Sequence, residues 1–252
     1  MLFKIIFTLI LLFSTSLQAN SSKPTLIFYC GITMVKPIKE MAKIIEERYN
    51  CTIKISQGGS KDLYDALKYS KVGDLYLPGS NSYRKNNLKD GYLLEAVEIG
   101  YNQAAIFIRK DLKKEITSLD SFIDTSLASI LCTPKSGSIG RETKNILTKY
   151  KGEEFFYDAF DNAVEIGTDS RNLNKALIEK RADITINWRS TGYWPENNKY
   201  IKIVEIDEEF AQKKKLEISL LKFSKNKEIA KAFMNFASSQ EGKDIMKKYG
   251  FL

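Results

Sequence analysis

Glycine, serine, threonine and asparagine recur in short segments that directly follow predicted β-strands, often with a basic residue nearby. These segments are residues 31–33, 57–61 and 79–82 in the first half of the chain and residues 135–141, 168–171 and 187–190 in the second. Glycine lets the backbone approach a ligand, the first N–H groups of a helix are unsatisfied donors at a positive dipole end, and a hydroxyl adds one more donor. Together these groups bind an anion without a full counter-charge.

Each segment also has an ordinary structural interpretation. Serine and threonine are common helix N-caps, and Gly–Ser clusters are common turns. Arg141, Arg171 and Arg189 accompany the segments, and because surface arginine is the usual role, we expect one of the three to reach a ligand. Trp188 either lines a cleft or ends a strand in the core. Since the segments fall on one edge of two predicted sheets, the pattern favours a ligand cleft.

The sequence contains no histidine. This excludes Ser-His-Asp and Cys-His catalytic arrangements and every histidine-containing zinc site. The glycine-rich run QGGSKD lacks the spacing of a nucleotide-binding loop, and no carboxylate or cysteine metal cluster is visible. We therefore predict a non-catalytic protein without a metal or cofactor. An enzyme that uses Asp62 and Asp74 as a carboxylate pair is the alternative.

Short β-rich runs alternate with helical periodicity in the first half of the chain. Residues 25–30 form a predicted strand, apolar residues from Val35 to Ile45 recur at helical spacing, and residues 51–56 form the next strand. A second helix leads to a third strand, residues 74–77, which a Pro-Gly pair ends. Strand–helix–strand units with short connections give parallel strands, so this half is an α/β sheet with helices on its faces.

The pattern changes after Leu93, where two extended runs follow each other without a helix between them. A second α/β set comes next, and the extended run 199–206 mirrors the first passage. We therefore predict a second lobe, residues 103–200, inserted into a first lobe made of residues 20–102 and 201–252. Two lobes joined by two strands form a cleft and a hinge.

The first residues of the chain predict export. Lys4 precedes a mainly apolar run that ends in small and polar residues, so we expect a signal peptide over residues 1–19 and a soluble periplasmic protein after cleavage. The formal net charge is +8, but basic residues are spread among acids, which indicates a solvated surface and no nucleic-acid partner. The three cysteines are expected to be buried thiols.

The C-terminal run ASSQEGKDIMKKYGF resembles the ending of bacterial periplasmic solute-binding proteins of the type II fold, in the branch that contains molybdate and tungstate binders. Thr33 and Ser60 are similar in position to two ligand-binding serines of those proteins. The run TPKSGSIGRETKNIL resembles the helix start whose backbone N–H groups bind the oxyanion, which implies Ser138 and Ile139.

The last predicted strand of the second lobe departs from that pattern. The run KALIEKRADITINW resembles a stretch in which a strand ends on a ligand residue, here Asn187 or Trp188. Molybdate binders commonly have tyrosine in this strand, and they have small residues where this chain has Cys30-Gly31-Ile32. The sequence ADITINW is also similar to relatives that bind organic anions such as phosphorylated acids, so the anion stays open.

The resemblance implies an α/β, two-lobed, periplasmic-binding-protein-like fold of type II with a two-strand hinge. It implies a monomeric, non-enzymatic receptor that captures a small, molybdate- or tungstate-like oxyanion by hinge closure and delivers it to the separate permease subunits of an ABC importer. Thr33 and Ser60 from one lobe, and Ser138, Asn187 and Arg171 from the other, would hold the anion. The alternatives are a binder of a phosphorylated or carboxylated organic acid, and a surface adhesin or signalling receptor.

Overall fold

The computed structural model describes residues 23–135 and 138–252 of the 252-residue chain. The predicted signal peptide, residues 1–19, lies outside these residues. Within them, no helix combines the length and the apolar character that crossing a membrane requires. The described strands form two sheets of five strands each, and helices flank both sheets.

Strands and helices alternate along most of the chain. The strands are β1 (Thr25–Gly31), β2 (Thr52–Gly58), β3 (Leu75–Leu77), β4 (Leu93–Asn102), β5 (Ala104–Arg109), β6 (Ser129–Cys132), β7 (Glu165–Gly167), β8 (Ile184–Trp188), β9 (Ile201–Glu205) and β10 (Lys214–Leu221). The helices are α1 (Val35–Tyr49), α2 (Ser60–Ser70), α3 (Asn81–Asn87), α4 (Ser138–Asp161), α5 (Ser170–Ile178), α6 (Arg189–Gly192), α7 (Pro195–Asn198), α8 (Lys227–Ser238) and α9 (Gln240–Lys248).

The first sheet has the strand order β2-β1-β3-β10-β4. Strand β1 pairs in parallel with β2 and β3, and β10 runs antiparallel to both of its neighbours. Along β1, Leu26, Phe28 and Cys30 pack in one cluster with α1 and α8, whereas Tyr29 packs with α2. This period of two covers both faces of the sheet with helices, as parallel strands require.

The second sheet repeats this architecture, with the order β7-β6-β8-β5-β9. Strand β6 is parallel to β7 and β8, and β5 is antiparallel to β8 and β9. Phe107, Ile130, Leu147 and Ile186 belong to one buried cluster that joins this sheet to its helices. In each lobe, therefore, three parallel strands end at the same edge of the sheet.

The chain passes between the two lobes twice. The first crossing is immediate, since β4 ends at Asn102 in the first sheet and β5 begins at Ala104 in the second. The second crossing lies between β9 and β10, over residues 206–213. Buried Gln103 links the two crossings, because its Nε2 donates a hydrogen bond to the carbonyl oxygen of Ala211 at 2.7 Å.

Strand β9 lies in the second sheet, whereas the sequence analysis gave residues 201–252 to the first lobe. Arg109 of β5 pairs with Ile201, and Ala105 pairs with Glu205, so β9 forms an edge of the second sheet. The prediction that residues 199–206 return the chain to the first lobe is therefore wrong by one strand. The chain returns to the first lobe only after β9 ends at Glu205. Alternation along an edge strand indicates which face is buried, but it does not identify the neighbouring strand.

The C-terminal segment completes the first lobe. Ser239 Oγ accepts a hydrogen bond from Gly242 N at 3.3 Å and caps α9. Gly250, at φ +81°, turns the chain so that Leu252 exchanges two backbone hydrogen bonds with Tyr101 of β4. The Ser-x-Glu-Gly turn and the Tyr-Gly-Phe ending of the sequence thus bring the C-terminus beside the first crossing.

Candidate ligand-binding site

A small cavity lies between the ends of the parallel strands of the two sheets, with a volume of about 40 Å³. The first lobe contributes residues at or just after the ends of β1, β2 and β3, and the second lobe contributes residues that follow β6, follow β7 or end β8. The lining consists of Gly31, Ile32, Thr33, Gly58, Gly59, Ser60 and Gly79 from the first lobe and Ser138, Ile139, Asp169, Ser170 and Trp188 from the second.

Three helices begin at this cavity. Helix α2 begins at Ser60, α4 at Ser138 and α5 at Ser170. The first N–H groups of a helix have no acceptor within the helix, and they carry the positive end of its dipole. The three helix starts therefore favour a negatively charged group in the cavity, as the order of strands and small polar residues in the sequence predicts.

Ser60 and Ser138 contribute one hydroxyl group from each lobe. The backbone N–H of Gly79 donates to Ser60 Oγ at 2.9 Å, and Trp188 Nε1 donates to Ser138 Oγ at 3.1 Å. A serine hydroxyl has a single hydrogen to donate, and an oxygen that already accepts an N–H bond directs that hydrogen elsewhere. Each hydroxyl therefore keeps a hydrogen that it can donate to a bound anion.

Thr33, Ile139 and Trp188 also lie in the lining, so the structure brings together five of the seven residues that the sequence analysis selected. Whether they contact a ligand stays a prediction. The Thr33 hydroxyl donates to Met34 Sδ at 2.8 Å, and because sulfur is a weak acceptor, it can rotate toward a stronger one. Trp188 is 1% exposed, so it both ends a core strand and forms the cavity wall.

The side chains of Arg171 and Asn187 are not part of the lining, contrary to their selection as ligand residues. Arg171 is 55% exposed, and its Nη2 bonds Asp169 Oδ2 at 2.9 Å. Asn187 is fully buried, and its Nδ2 donates to the Ser170 carbonyl at 3.0 Å and to Asn174 Oδ1 at 2.8 Å. A neighbouring carboxylate and a buried amide thus direct these two side chains away from the cavity, although Asn187 still holds the Ser170 turn in place.

Gly79, Asp169 and Ser170 also line the cavity; they lie in the predicted segments 79–82 and 168–171, although none of the three was predicted to be a ligand residue. The Asp169 carboxylate caps α5, because it accepts hydrogen bonds from Arg171 N at 2.7 Å and Asn172 N at 3.1 Å. Burial opposes its ionisation, but the Arg171 guanidinium and these N–H groups hold the pKa of Asp169 below its ordinary value. Its negative charge is therefore balanced locally, which limits its repulsion of an anion in the cavity.

The two lobes meet around this cavity. A Cβ atom added to Gly79 of the first lobe would lie only 2.9 Å from Ser138 Oγ of the second. On another side of the cleft, Lys36 Nζ of α1 bonds Glu196 Oε1 of α7 at 2.5 Å. These contacts join residues of different lobes, so the lobes touch each other beside the cavity.

The described lining offers neither a metal site nor a catalytic pair of carboxylates. Among residues 23–135 and 138–252, no group of three or more His, Cys, Asp or Glu side chains is placed to hold a metal ion. Asp62 and Asp74 are both outside the lining. Asp74 is buried and accepts hydrogen bonds from Ile27 N at 2.8 Å and Ser224 Oγ at 2.6 Å, so its carboxylate stabilises the first lobe.

Proteins of similar sequence or fold span almost the whole chain. A putative ABC transporter substrate-binding lipoprotein of Bacillus subtilis is 21% identical over 238 residues, which cover 92% of this chain and 88% of the relative. The periplasmic molybdate-binding protein of Azotobacter vinelandii is 12% identical and superposes over 90% of this chain and 98% of its own, with a TM-score of 0.76. PEB3 of Campylobacter jejuni with L-phospholactate bound is 18% identical over 90% of this chain and 98% of its own, with a TM-score of 0.72. At these identities, the structural similarity establishes the two-lobed fold alone.

A family match covers the same region. The profile of the family described as bacterial extracellular solute-binding protein matches residues 26–252. This range includes both sheets, both crossings and every segment that lines the cavity between the lobes. The chain therefore belongs to the family of bacterial extracellular solute-binding proteins.

Proposed function

We propose that this protein is the periplasmic substrate-binding component of an ABC importer and that it captures a small tetrahedral oxyanion. The family match and the name of the Bacillus subtilis relative support the transport role. In this role the protein catalyses no reaction. It is exported by the signal peptide of residues 1–19, closes on its ligand as a monomer, and delivers it to separate membrane permease subunits.

The size and the chemistry of the cavity support a small oxyanion as the ligand. Sites for organic molecules usually have volumes of roughly 300–1,000 Å³, whereas this cavity has about 40 Å³. A single water needs about 10–15 Å³ by the same measure, so the cavity admits only a few atoms, as in an ion with one central atom and four oxygens. The helix starts and serine hydroxyls supply donors, and no lysine or arginine belongs to the described lining.

Each predicted ligand residue has a definite task in this proposal. Ser60 and Ser138 donate their hydroxyl hydrogens from opposite lobes, and the backbone N–H groups at Ser138 and Ile139 bind the anion at the start of α4. Thr33 rotates from Met34 Sδ toward the anion. Trp188 orients Ser138 through its indole N–H. Molybdate and tungstate are our first candidates, because the Azotobacter vinelandii neighbour is a molybdate-binding protein.

The melting temperature of the protein without residues 1–19 tests this proposal against molybdate, tungstate, sulfate, phosphate, 3-phosphoglycerate and citrate. A ligand at 100 times its Kd stabilises a protein by about 2.7 kcal/mol, which at this size raises the midpoint by roughly 5–10 °C. We expect such a rise with molybdate or tungstate. A rise with 3-phosphoglycerate and with no inorganic oxyanion would instead support a phosphorylated organic acid as the ligand. If none of the six anions raises the melting temperature of protein that starts free of ligand, anion capture is contradicted.

A further inference from the structure

A second, larger space separates the lobes beside the cavity, with a volume of about 610 Å³. Helix α3 and the start of β10 line it from the first lobe, and the first two turns of α4 line it from the second. We call it the basic groove and define it by six of its lining residues: Tyr83, Arg141, Lys144, Lys213, Lys214 and Lys215. Ser138 and Trp188 belong to both linings and stand between the groove and the cavity.

The basic groove carries an excess of positive charge. Its lining has five cationic side chains, and Glu142 is its carboxylate, bonded to Lys214 at 3.0 Å. Lys213 and Lys215 have partners outside the lining, in Glu208 at 3.0 Å and Glu98 at 2.9 Å. Such exposed pairs contribute little to stability, so these lysines are able to turn toward an anion in the groove.

Arg141 has no such partner among residues 23–135 and 138–252. Every other described arginine pairs with a carboxylate or donates a hydrogen bond to a described acceptor, whereas Arg141 does neither within the described part of the chain. Its guanidinium lies 4.1 Å from the centre of the Tyr83 ring, across the boundary between the lobes. This contact holds the guanidinium at the groove, where its donors have no acceptor among the described residues, and a guanidinium matches the geometry of carboxylate and phosphate groups.

We propose that the basic groove is a second anion site, which binds an organic anion with two or more carboxylate or phosphate groups. Its volume lies in the range of sites for organic molecules, unlike that of the cavity. Apart from Ser138 and Trp188, the groove and the cavity have different lining residues, so they are two neighbouring spaces of very different size. The two sites therefore bind separate anions, one small and one extended.

The groove also couples the second anion to closure. Its cationic residues come from both lobes, Arg141 and Lys144 from α4 and Lys213 to Lys215 from the second crossing and β10. An anion that bridges them binds the closed form better than the open form and so shifts the population toward closure. By reciprocity, it also increases the affinity of the cavity for its own ligand. This coupling, unlike the second site itself, rests on the proposed function.

Citrate is a suitable probe, because it carries three carboxylates. Isothermal titration of citrate into the protein, with and without saturating tungstate, tests whether the two anions bind together. We expect citrate to bind in both cases, and more tightly when tungstate is present.

Arg141→Gln should weaken citrate binding by roughly 10-fold or more, since it removes a charge-assisted hydrogen bond. Arg48→Gln, which removes one exposed arginine from the first lobe away from the groove, is the matched control and should change citrate affinity less than about 2-fold.

Three results would overturn the second site: no citrate binding, displacement of citrate by tungstate, or equal effects of Arg141→Gln and Arg48→Gln. Displacement would place citrate in the cavity, and equal effects would mean general attraction to a basic protein. If citrate binds with the expected dependence on Arg141 while no inorganic oxyanion binds, the second site stands and the proposed oxyanion function fails.

Discussion

Gly79→Ala adds one methyl group at the point where the lobes meet. The new Cβ would lie 2.9 Å from Ser138 Oγ of the other lobe and 3.5 Å from Ser60 Oγ. The first distance is too short for a carbon–oxygen contact, whereas the second is ordinary. Since Gly79 is not among the residues with positive φ, alanine fits its backbone. The substitution should therefore leave the open form intact and, when the lobes close, either turn the Ser138 hydroxyl away from the ligand or keep the lobes from closing fully.

The expected loss of affinity follows from the hydrogen bond that the methyl group prevents. A hydrogen bond to a charged group contributes about 1.5–3 kcal/mol, so the loss of the Ser138 contact should raise the Kd of the preferred oxyanion roughly 10- to 150-fold. Isothermal titration measures this change directly. Without ligand, the melting temperature of Gly79→Ala should stay within about 2 °C of that of the original protein. We expect the free energy of unfolding to change by well under 1 kcal/mol, which shifts the melting temperature of a protein of this size by no more than about 2 °C.

Ser138→Ala provides the matched background for this experiment. It removes the oxygen that the new methyl group meets, and the remaining Ser138 Cβ lies 3.6 Å from the added Cβ, an ordinary contact. In this background, Gly79→Ala should change the Kd by less than about 2-fold, so the two substitutions are strongly non-additive. An equal effect of Gly79→Ala in both backgrounds, or unchanged affinity of the single variant, would refute closure around the two serines.

Three further substitutions test other parts of the structure. Ser60→Ala should raise the Kd of the oxyanion about 10-fold or more in the same titration, and an unchanged Kd would remove Ser60 from the site. Phe233→Ala, in the core edge-to-face with Phe28 at 5.2 Å, should lower the free energy of unfolding in urea by about 3–5 kcal/mol, and an unchanged midpoint would contradict this packing. Hydrogen bonds from Lys114 and Ser126 lower the pKa of Asp124 from 3.8 to about 2. Its stabilisation is therefore present above pH 4 and lost toward pH 2, so Asp124→Asn should lower the melting temperature at pH 7 and match the original protein near pH 2, whereas a difference independent of pH would contradict the ion pair.

The sequence predicts the sheet-and-helix architecture because local signals agree with it. Apolar residues of α1 recur at helical spacing, and the short β-rich runs before and after it become β1 and β2 with the parallel pairing that a helical crossover imposes. Strand β9 shows the limit of this reasoning. Its alternation indicates a half-buried strand, but pairing with β5 depends on contacts between residues almost a hundred positions apart.

The candidate site likewise has a part that local sequence signals predict and a part that depends on contacts between side chains. Ser60 and Ser138 begin the helices that follow β2 and β6, so sequence order alone places them at the cleft. The directions of Arg171 and Asn187 depend on Asp169 and Asn174, which bind them within the second lobe. Periodicity indicates that a residue lies near a strand end but does not show which hydrogen-bond partner its side chain finds.

The central claim is that an oxyanion sits between Ser60 and Ser138 when the lobes close. Crystals of the protein grown with stoichiometric tungstate test it most directly, because the anomalous scattering of tungsten locates the ion without reference to the protein. We predict one strong peak in the cavity, with ligand oxygens within about 3 Å of both Oγ atoms and the lobes in contact as described. A tungsten peak elsewhere, in the basic groove for example, or none in protein that binds tungstate in solution, would contradict the claim.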